Sequence, residues 1–600
     1  MVHVPGTPTP SPRPQVTATD QEGAGTPDLP AVPPVGALFG SSGFDGPTSS
    51  ANDLIGLVFC HPSTEAADES AVTVRDAAVT PRDSTVTGVD LVIGRARTAT
   101  VGIRLPEPAP CRLALNDTLV IGDLVVVAVD HERWVVDLPA GAVLDVPELT
   151  GPDAPAIAVT RSATGALITA RGPATSTDLG SLDGAGVAVL VGERSETVRD
   201  LADAVVGPDS PHRELAAKCV SVIRVNTLAA GDGRAGAWTT PDRLPHQDMW
   251  LWDTAFHSLG VNLLDPVLSA ETILTMVATA RADGLIPLSV PVHGEAESLT
   301  QPPILAWAVR ENVLCQEATG GGDGEHLLRT VHEPLRRHLD WVLTHRCDPE
   351  TGLGRWHRGD DPLCRSGESG MDNSPRFDEP TGADVDLSVH LAEDLEALGW
   401  ICERVGDAAG SDLARGRAAG LRTAVHELLW DPAQQFYVDR RPDGDFSTVR
   451  AISGFLPLLF PDLPGERRDA LLAALADPDD FGTACPVPSV SRRDPAFSTD
   501  MWRGPTWVNV NHRLIAGLQR QGCAGEAARL TASTVAMVER WYRVYGTVFE
   551  FYDADDRVPP GDCDRKGPHQ RGYHPDRRIA NIRDYHWTAA LTLDLLRRDR

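Results

Sequence analysis

Six hundred residues exceed what one ordinary core holds, so two folded domains are expected. Hydrophobic residues at 42% and charged residues at 23% are ordinary for a globular chain. With 54 basic against 84 acidic residues and a net charge of −30, sequence-independent binding to nucleic-acid phosphates or to anionic lipid is disfavoured.

Residues 1–50 are rich in Pro, Gly, Thr and Ser and poor in large apolar side chains. Such a segment cannot offset its ordering entropy, so it is predicted to be disordered. From Asn52 onward short apolar runs alternate with turn residues. Strands are predicted over 54–59, 86–93, 99–105, 113–129, 134–138, 156–160, 165–170 and 186–191, with Asn116-Asp117, Pro139-Ala140-Gly141 and Asp183-Gly184 as turns. That pattern predicts a β-sandwich-like domain over 51–195.

Beyond Ser195 the period becomes helical. Helices are predicted over 196–206, 212–228, 252–264, 266–282, 303–318, 325–344, 384–405, 408–429, 452–460, 467–475, 505–521, 525–542 and 587–598. Their lengths suit antiparallel hairpins. A mainly α domain over 196–600 follows, and six hairpins would close into an (α/α)6 toroid. No fixed-period repeat supports an open solenoid.

Ten cysteines are scattered without a C-x-x-C pair, which leaves zinc and dithiol chemistry unsupported. No metal and no cofactor are expected. Reduced thiols, the lack of a signal-peptide pattern and the lack of a long apolar run point to a cytoplasmic protein with no membrane partner.

Five stretches of the helical part carry chemistry. Trp250-Leu251-Trp252-Asp253 offers ring faces and a carboxylate, which suit the C–H faces and hydroxyls of a sugar. Gln301-Pro302-Pro303 opens a helix with an amide at its entrance. The polar loop from Gly367 to Asp378 displays Asp372 beside Asn373 and Arg376, as a scaffold displays a reactive group. Trp502 and Trp507 flank Arg503 on a turn into a helix. Glu550 sits inside the aromatic run Val548-Phe549-Glu550-Phe551-Tyr552 and is expected to be a partly buried carboxylate. Each stretch also has a plainer reading: an Asp-capped loop for 367–378, core packing for the tryptophans, and a buried ion pair with arginine for Glu550.

Taken in order, these stretches, with His586-Trp587-Thr588-Ala589-Ala590-Leu591, resemble the inverting six-hairpin glycoside hydrolases. The relatives are family 63, which includes processing α-glucosidase I and the mannosylglycerate and glucosylglycerate hydrolases, and the family 37 trehalases. The resemblance spans nearly all of 246–592. It implies Asp372 as general acid and Glu550 as general base, with Trp252, Asp253, Gln301, Asn373, Arg376, Trp502, Arg503, Trp507 and Trp587 lining a sugar pocket. It implies hydrolysis of an α-linked glucoside or mannoside with inversion, and a carbohydrate as the binding partner. A trehalase or debranching-type α-glucosidase, or a silent carbohydrate-binding homologue, would share most of these residues. The chain departs from its relatives at the charged insert 562–578, which is expected at the pocket mouth.

Overall fold

The computed structural model describes the strands between residues 38 and 169 with the turns at 122–123 and 138–142, and residues 184–598 except 229, 231–233, 243–245, 247, 292–295, 297 and 568–580. Strands come first and helices follow, so the molecule is mainly α with a β-rich beginning.

Eleven strands form one antiparallel hydrogen-bonded path. They are β1 Leu38–Phe39, β2 Ile55–Pro62, β3 Val72–Asp76, β4 Thr85–Ile93, β5 Ala99–Leu115, β6 Thr118–Ile121, β7 Leu124–Ala128, β8 Arg133–Asp137, β9 Val143–Asp145, β10 Ala158–Arg161 and β11 Gly165–Thr169. The path runs β1-β2-β4-β5-β6-β7-β8-β11-β10, with β3 on β2 and β9 on β5. The long β5 serves two neighbours: its first half pairs with β4 and its last residues with β6. The expected strand 113–129 is divided, because Gly122 at φ +54 makes the turn that sends β7 back along β6. Strand β1 lies inside the segment predicted to be disordered, with Leu38 opposite Gly56; the rest of 1–50 is outside the described residues.

The expected strand 186–191 is instead the first part of a helix, α1 Gly184–Val206. A short apolar run does not distinguish a buried helix from a buried strand, and here the run continues into residues that pack on the next helix and on β7 and β8. The helical part therefore begins at 184, eleven residues earlier than the boundary drawn at 195.

The remaining helices are α2 Arg213–Val225, α3 Leu251–Leu264, α4 Pro266–Val277, α5 Leu305–Thr319, α6 Gly324–Arg346, α7 Val385–Val405, α8 Ala408–Leu428, α9 Gly465–Ala476, α10 Val508–Arg520, α11 Ala524–Tyr545 and α12 His586–Arg598. A 3₁₀ segment covers Ile452–Leu459, where a continuous helix was expected. Pro457 lies inside it and cannot donate a backbone hydrogen bond.

Local signals explain the boundaries. Asp265 caps α4 by accepting from Val267 N and Leu268 N, with Pro266 in the first turn. Asp407 caps α8 through Gly410 N, directly after Gly406 has closed α7 in the left-handed region. The α5 start has no cap of its own; Asp394 of α7 reaches across to accept from Ala306 N and Trp307 N.

Helices α3, α7, α10 and α12 are buried along nearly their whole lengths. Helix α3 packs on α5, α5 on α7, and α7 on the 3₁₀ segment. That segment packs on α10, α10 on α12, and α12 returns to α2 and α3. The ends of these helices and the loops between them position the site. Among the described residues no helix is long and apolar enough to cross a membrane.

Candidate active site

The loop carrying Asp372 is fixed at three points. Glu368, fully buried, accepts from Thr300 N at 3.0 Å, from His357 N at 2.9 Å, and from Arg346 through Nε at 2.8 Å and Nη2 at 2.6 Å. Gly370 has φ +69 and lies so close to Trp252 that a Cβ there would stand 2.1 Å from the indole. Asn373 accepts from Trp502 N through Oδ1 at 3.0 Å, which ties the loop to the Trp502 turn.

Arg376 and Arg503 both hold the loop. The Arg376 side chain is 1% exposed and lies among three carboxylates: Asp386 at 2.6 Å, Asp439 at 3.3 Å and Asp384 at 3.9 Å. Burial opposes a charged Arg376, but the three aspartates outweigh it and hold its pKa above the ordinary value. Arg503 donates to the Asn373 carbonyl at 3.0 Å and grips Asp378 with both terminal nitrogens. It too ties the Asp372 loop to the Trp502 turn.

Glu550 comes from a different part of the chain, on an extended stretch between the segments of Thr506 and Arg583. Its backbone N donates to Ile582 O at 2.8 Å, and the residue is 1% exposed. Arg565 Nε donates to Glu550 Oε2 at 2.8 Å, and Nη2 lies 3.4 Å from Oε1. The buried ion pair that competed as a reading of Glu550 is thus present. Behind Arg565, Nη2 lies 3.1 Å from His246 Nε2, and His246 Nδ1 lies 2.7 Å from Asp242 Oδ2. A guanidinium only donates, so His246 accepts at Nε2 and carries its proton at Nδ1, toward Asp242.

The next residue reaches the other carboxylate. Lys566 Nζ pairs with Asp372 Oδ2, and the two side chains are 21% and 15% exposed. Burial alone would lower the Lys566 pKa, yet the Asp372 charge keeps it above the ordinary value. The same charge adds to burial in pushing the neighbouring Cys364 thiol up to about 11. Consecutive residues, with Cα atoms about 3.8 Å apart, therefore bridge Asp372 and Glu550, which lie far apart in sequence.

Asp253 completes the group. Burial, and then the charge of Glu550, raise its pKa well above the carboxylate range, with a smaller push from Asp372. Its Oδ1 is buried without a protein partner among the described residues. The phenol of Tyr585 is raised for the same first two reasons.

Around the carboxylates the tryptophans interlock. Trp502 and Trp507 stack at 3.8 Å, Trp252 meets Trp587 edge-on at 5.3 Å, and Trp507 lies 5.7 Å from Trp587. All four are buried, as the core-packing reading expects. Gln301 Oε1 accepts from Trp252 N at 3.1 Å, serving as the cap of α3 that fixes this ring. Trp502 Nε1, Trp587 Nε1 and Asn373 Nδ2 are buried and have no protein partner among the described residues. Unmet buried donors beside aromatic edges are what a hydroxyl-bearing ligand would satisfy.

Sequence reasoning missed Glu368, His246, Asp242, Arg565, Lys566 and Tyr585. One signal was available for Lys566: it is one of two lysines in a chain that otherwise uses arginine. The other, Lys218, is fully buried against Asp584 at 2.7 Å.

Comparison with known proteins gives a consistent picture. The family model for the mannosylglycerate hydrolase MGH1-like glycoside hydrolase domain matches residues 245–588. A mannosylglycerate hydrolase of Thermus thermophilus is 26% identical over 407 residues, covering 54% of this chain and 92% of that protein. The glucosylglycerate hydrolase of Mycolicibacterium hassiacum is 23% identical over 479 residues, covering 65% of this chain and 99% of its own. In structure, a Thermus thermophilus mannosylglycerate hydrolase in complex with Tris aligns with TM-score 0.50 and 22% identity, over 63% of this chain and 98% of that one. That structural likeness speaks for the helical fold alone.

Proposed function

This chain belongs to the mannosylglycerate hydrolase MGH1-like glycoside hydrolase family, and from that premise we propose that Asp372 is its general acid and Glu550 its general base. The chain is a glycosidase. The observation that carries the assignment is the bridging of both carboxylates by Arg565 and Lys566, which puts two remote acidic residues in one aromatic-lined site. The order of helix contacts, with α12 packed back on α3, supports closure into an (α/α)6 toroid around that site.

In the inverting reaction a carboxylic acid protonates the leaving oxygen. A carboxylate takes a proton from water on the opposite face of the ring. The pair stands roughly 6.5–9.5 Å apart to admit that water. Glu550, paired with Arg565, suits the base. Asp372 would have to face the leaving oxygen to act, and the Lys566 ammonium is its partner here. An aglycone bearing a carboxylate would draw Lys566 away and leave Asp372 open to that oxygen. The substrate class we favour is therefore an α-mannoside or α-glucoside of a small hydroxy acid, as in the substrates for which the relatives are named. Asp253, protonated in its buried position, and the unmet indole N–H groups would hold the sugar hydroxyls. The free cysteines fit a reducing compartment.

A panel of mannosylglycerate, glucosylglycerate, trehalose and maltooligosaccharides, followed by NMR, tests both parts. The expected result is turnover of a glycerate glycoside with β-sugar formed first. An α-anomer as the first product would exclude the inverting mechanism, and turnover of trehalose alone would exclude the anionic aglycone.

A further inference from the structure

The end of α7 away from the Asp372 loop brings three ligand-type side chains together. His332 comes from α6, Cys402 from the last turn of α7, and Asp407 is the N-cap of α8. His332 Nε2 lies 3.3 Å from Cys402 Sγ and 3.2 Å from Asp407 Oδ2. The three ligand atoms all lie within 4.8 Å of one another. Gly406, at φ +86, makes the sharp return that turns Asp407 back over Cys402, whose carbonyl accepts from Asp407 N at 2.8 Å. Oδ1 of Asp407 is engaged by Gly410 N at 2.9 Å, which leaves Oδ2 facing the histidine.

Hydrogen bonding satisfies this arrangement only in part. A ring nitrogen carries either a proton or a lone pair, so Nε2 makes one good bond to a single partner and not to both. A tetrahedral cation with bonds of about 2.0–2.3 Å leaves its nitrogen, sulfur and oxygen ligands a little over 3 Å apart, close to the spacings found here. We propose that His332, Cys402 and Asp407 bind one zinc-class divalent cation, which pins α6 to the turn between α7 and α8. The donor set selects the metal: thiolate and imidazole suit zinc and its neighbours and do not suit calcium or magnesium. Cys402 is fully buried, while the His332 and Asp407 side chains are 21% and 36% exposed, so the fourth position faces solvent and suits water. The nearby guanidiniums already have carboxylate partners, Arg336 with Glu333 and Asp340 and Arg415 with Glu403 and Glu396. On binding, the thiol proton leaves to solvent and the sulfur–metal bond takes its place.

The spacing hid this site. Cys402 and Asp407 are five residues apart, but the histidine lies 70 residues upstream on another helix. From the start of α7 to Cys402 is about 25 Å along the axis, so the cation would brace the fold and take no part in hydrolysis.

Metal-stripped full-length protein, titrated first with cobalt(II) and then with zinc, tests the proposal. One equivalent of cobalt should produce a thiolate-to-cobalt charge-transfer band that zinc displaces and that Cys402→Ser abolishes. His332→Gln, at a partly exposed position, should keep the fold and weaken zinc binding about 100-fold. Zinc should raise the Tm of the unaltered protein and leave that of His332→Gln unchanged. Absence of the band at one equivalent overturns the proposal. So does a band that persists in Cys402→Ser, since another of the ten cysteines would then be its source. None of these readouts involves sugar turnover, so failure here leaves the roles of Asp372 and Glu550 untouched.

Discussion

The two carboxylates of the site are held in opposite ways. Glu550 is 2% exposed in its side chain and gripped by an arginine that is itself 9% exposed and backed by His246 and Asp242. Asp372 is more open, and its partner is a lysine. An arginine fork is rigid and always charged, whereas a lysine is a point charge on a flexible stem. Under the proposed roles, the base has the rigid partner and the acid the movable one. On that reading the counter-ion's mobility, as much as its charge, separates the two roles.

Removing either carboxylate is the harshest way to break that comparison. Asp372→Asn and Glu550→Gln should each lower kcat by roughly 10²–10⁴-fold with the fold intact by circular dichroism. Replacing Arg565 should come next. Arg565→Gln leaves Glu550 as an uncompensated buried charge, and denaturant melts at neutral pH should show a loss of about 3–5 kcal/mol.

Lys566→Met sharpens the contrast, because it separates holding from reading. With a neutral aglycone its kcat/KM should be unchanged, since no aglycone charge needs the ammonium. With a glycerate aglycone it should fall by about 10-fold, the value of one exposed charge-assisted contact. Equal loss on both substrates would mean that Lys566 only orders the loop.

The smallest effect concerns His586, which stacks on His257 at 3.8 Å and donates from Nδ1 to Thr240 O. Burial lowers both imidazoles, His586 to about 3 and His257 well below its ordinary value. Below about pH 6.5 the unfolded chain binds protons that the native pair refuses, so stability is full above that pH and falls as acid is added. Each histidine contributes at most about 1.4 kcal/mol per pH unit. His586→Gln should flatten that decline in urea melts between about pH 6.5 and pH 4.

Much of the fold was legible because the helical stretches carry both a period and punctuation. Pro266 after Asp265, and Gly406 before Asp407, mark ends that the structure keeps. The strand expected at 186–191 failed because valine-rich runs suit either state until a neighbour is known, and that neighbour is α2. In the site, Asp372, Asn373 and Trp502 could be named from loop chemistry and resemblance. Arg376 could be named too, but its ion-pair partners could not, since Asp384, Asp386 and Asp439 become its surroundings only once α7 and the segment around Asp439 fold around it. Lys566 and Arg565 escaped because a charged stretch reads as solvated surface, whereas these two side chains meet Asp372 and Glu550; residues 568–578 of the expected insert lie outside the described residues.

Helix α12 is the last described element, yet it carries Trp587, neighbours the Ile582 carbonyl that receives Glu550 N, and packs against α2 and α3. During synthesis the inner faces of α2 and α3 therefore stay uncovered until α12 has been made. Until that late arrival, Trp252 and its neighbours stay open to water, which makes the half-built nascent chain a natural client for chaperones that grip exposed aromatic surface.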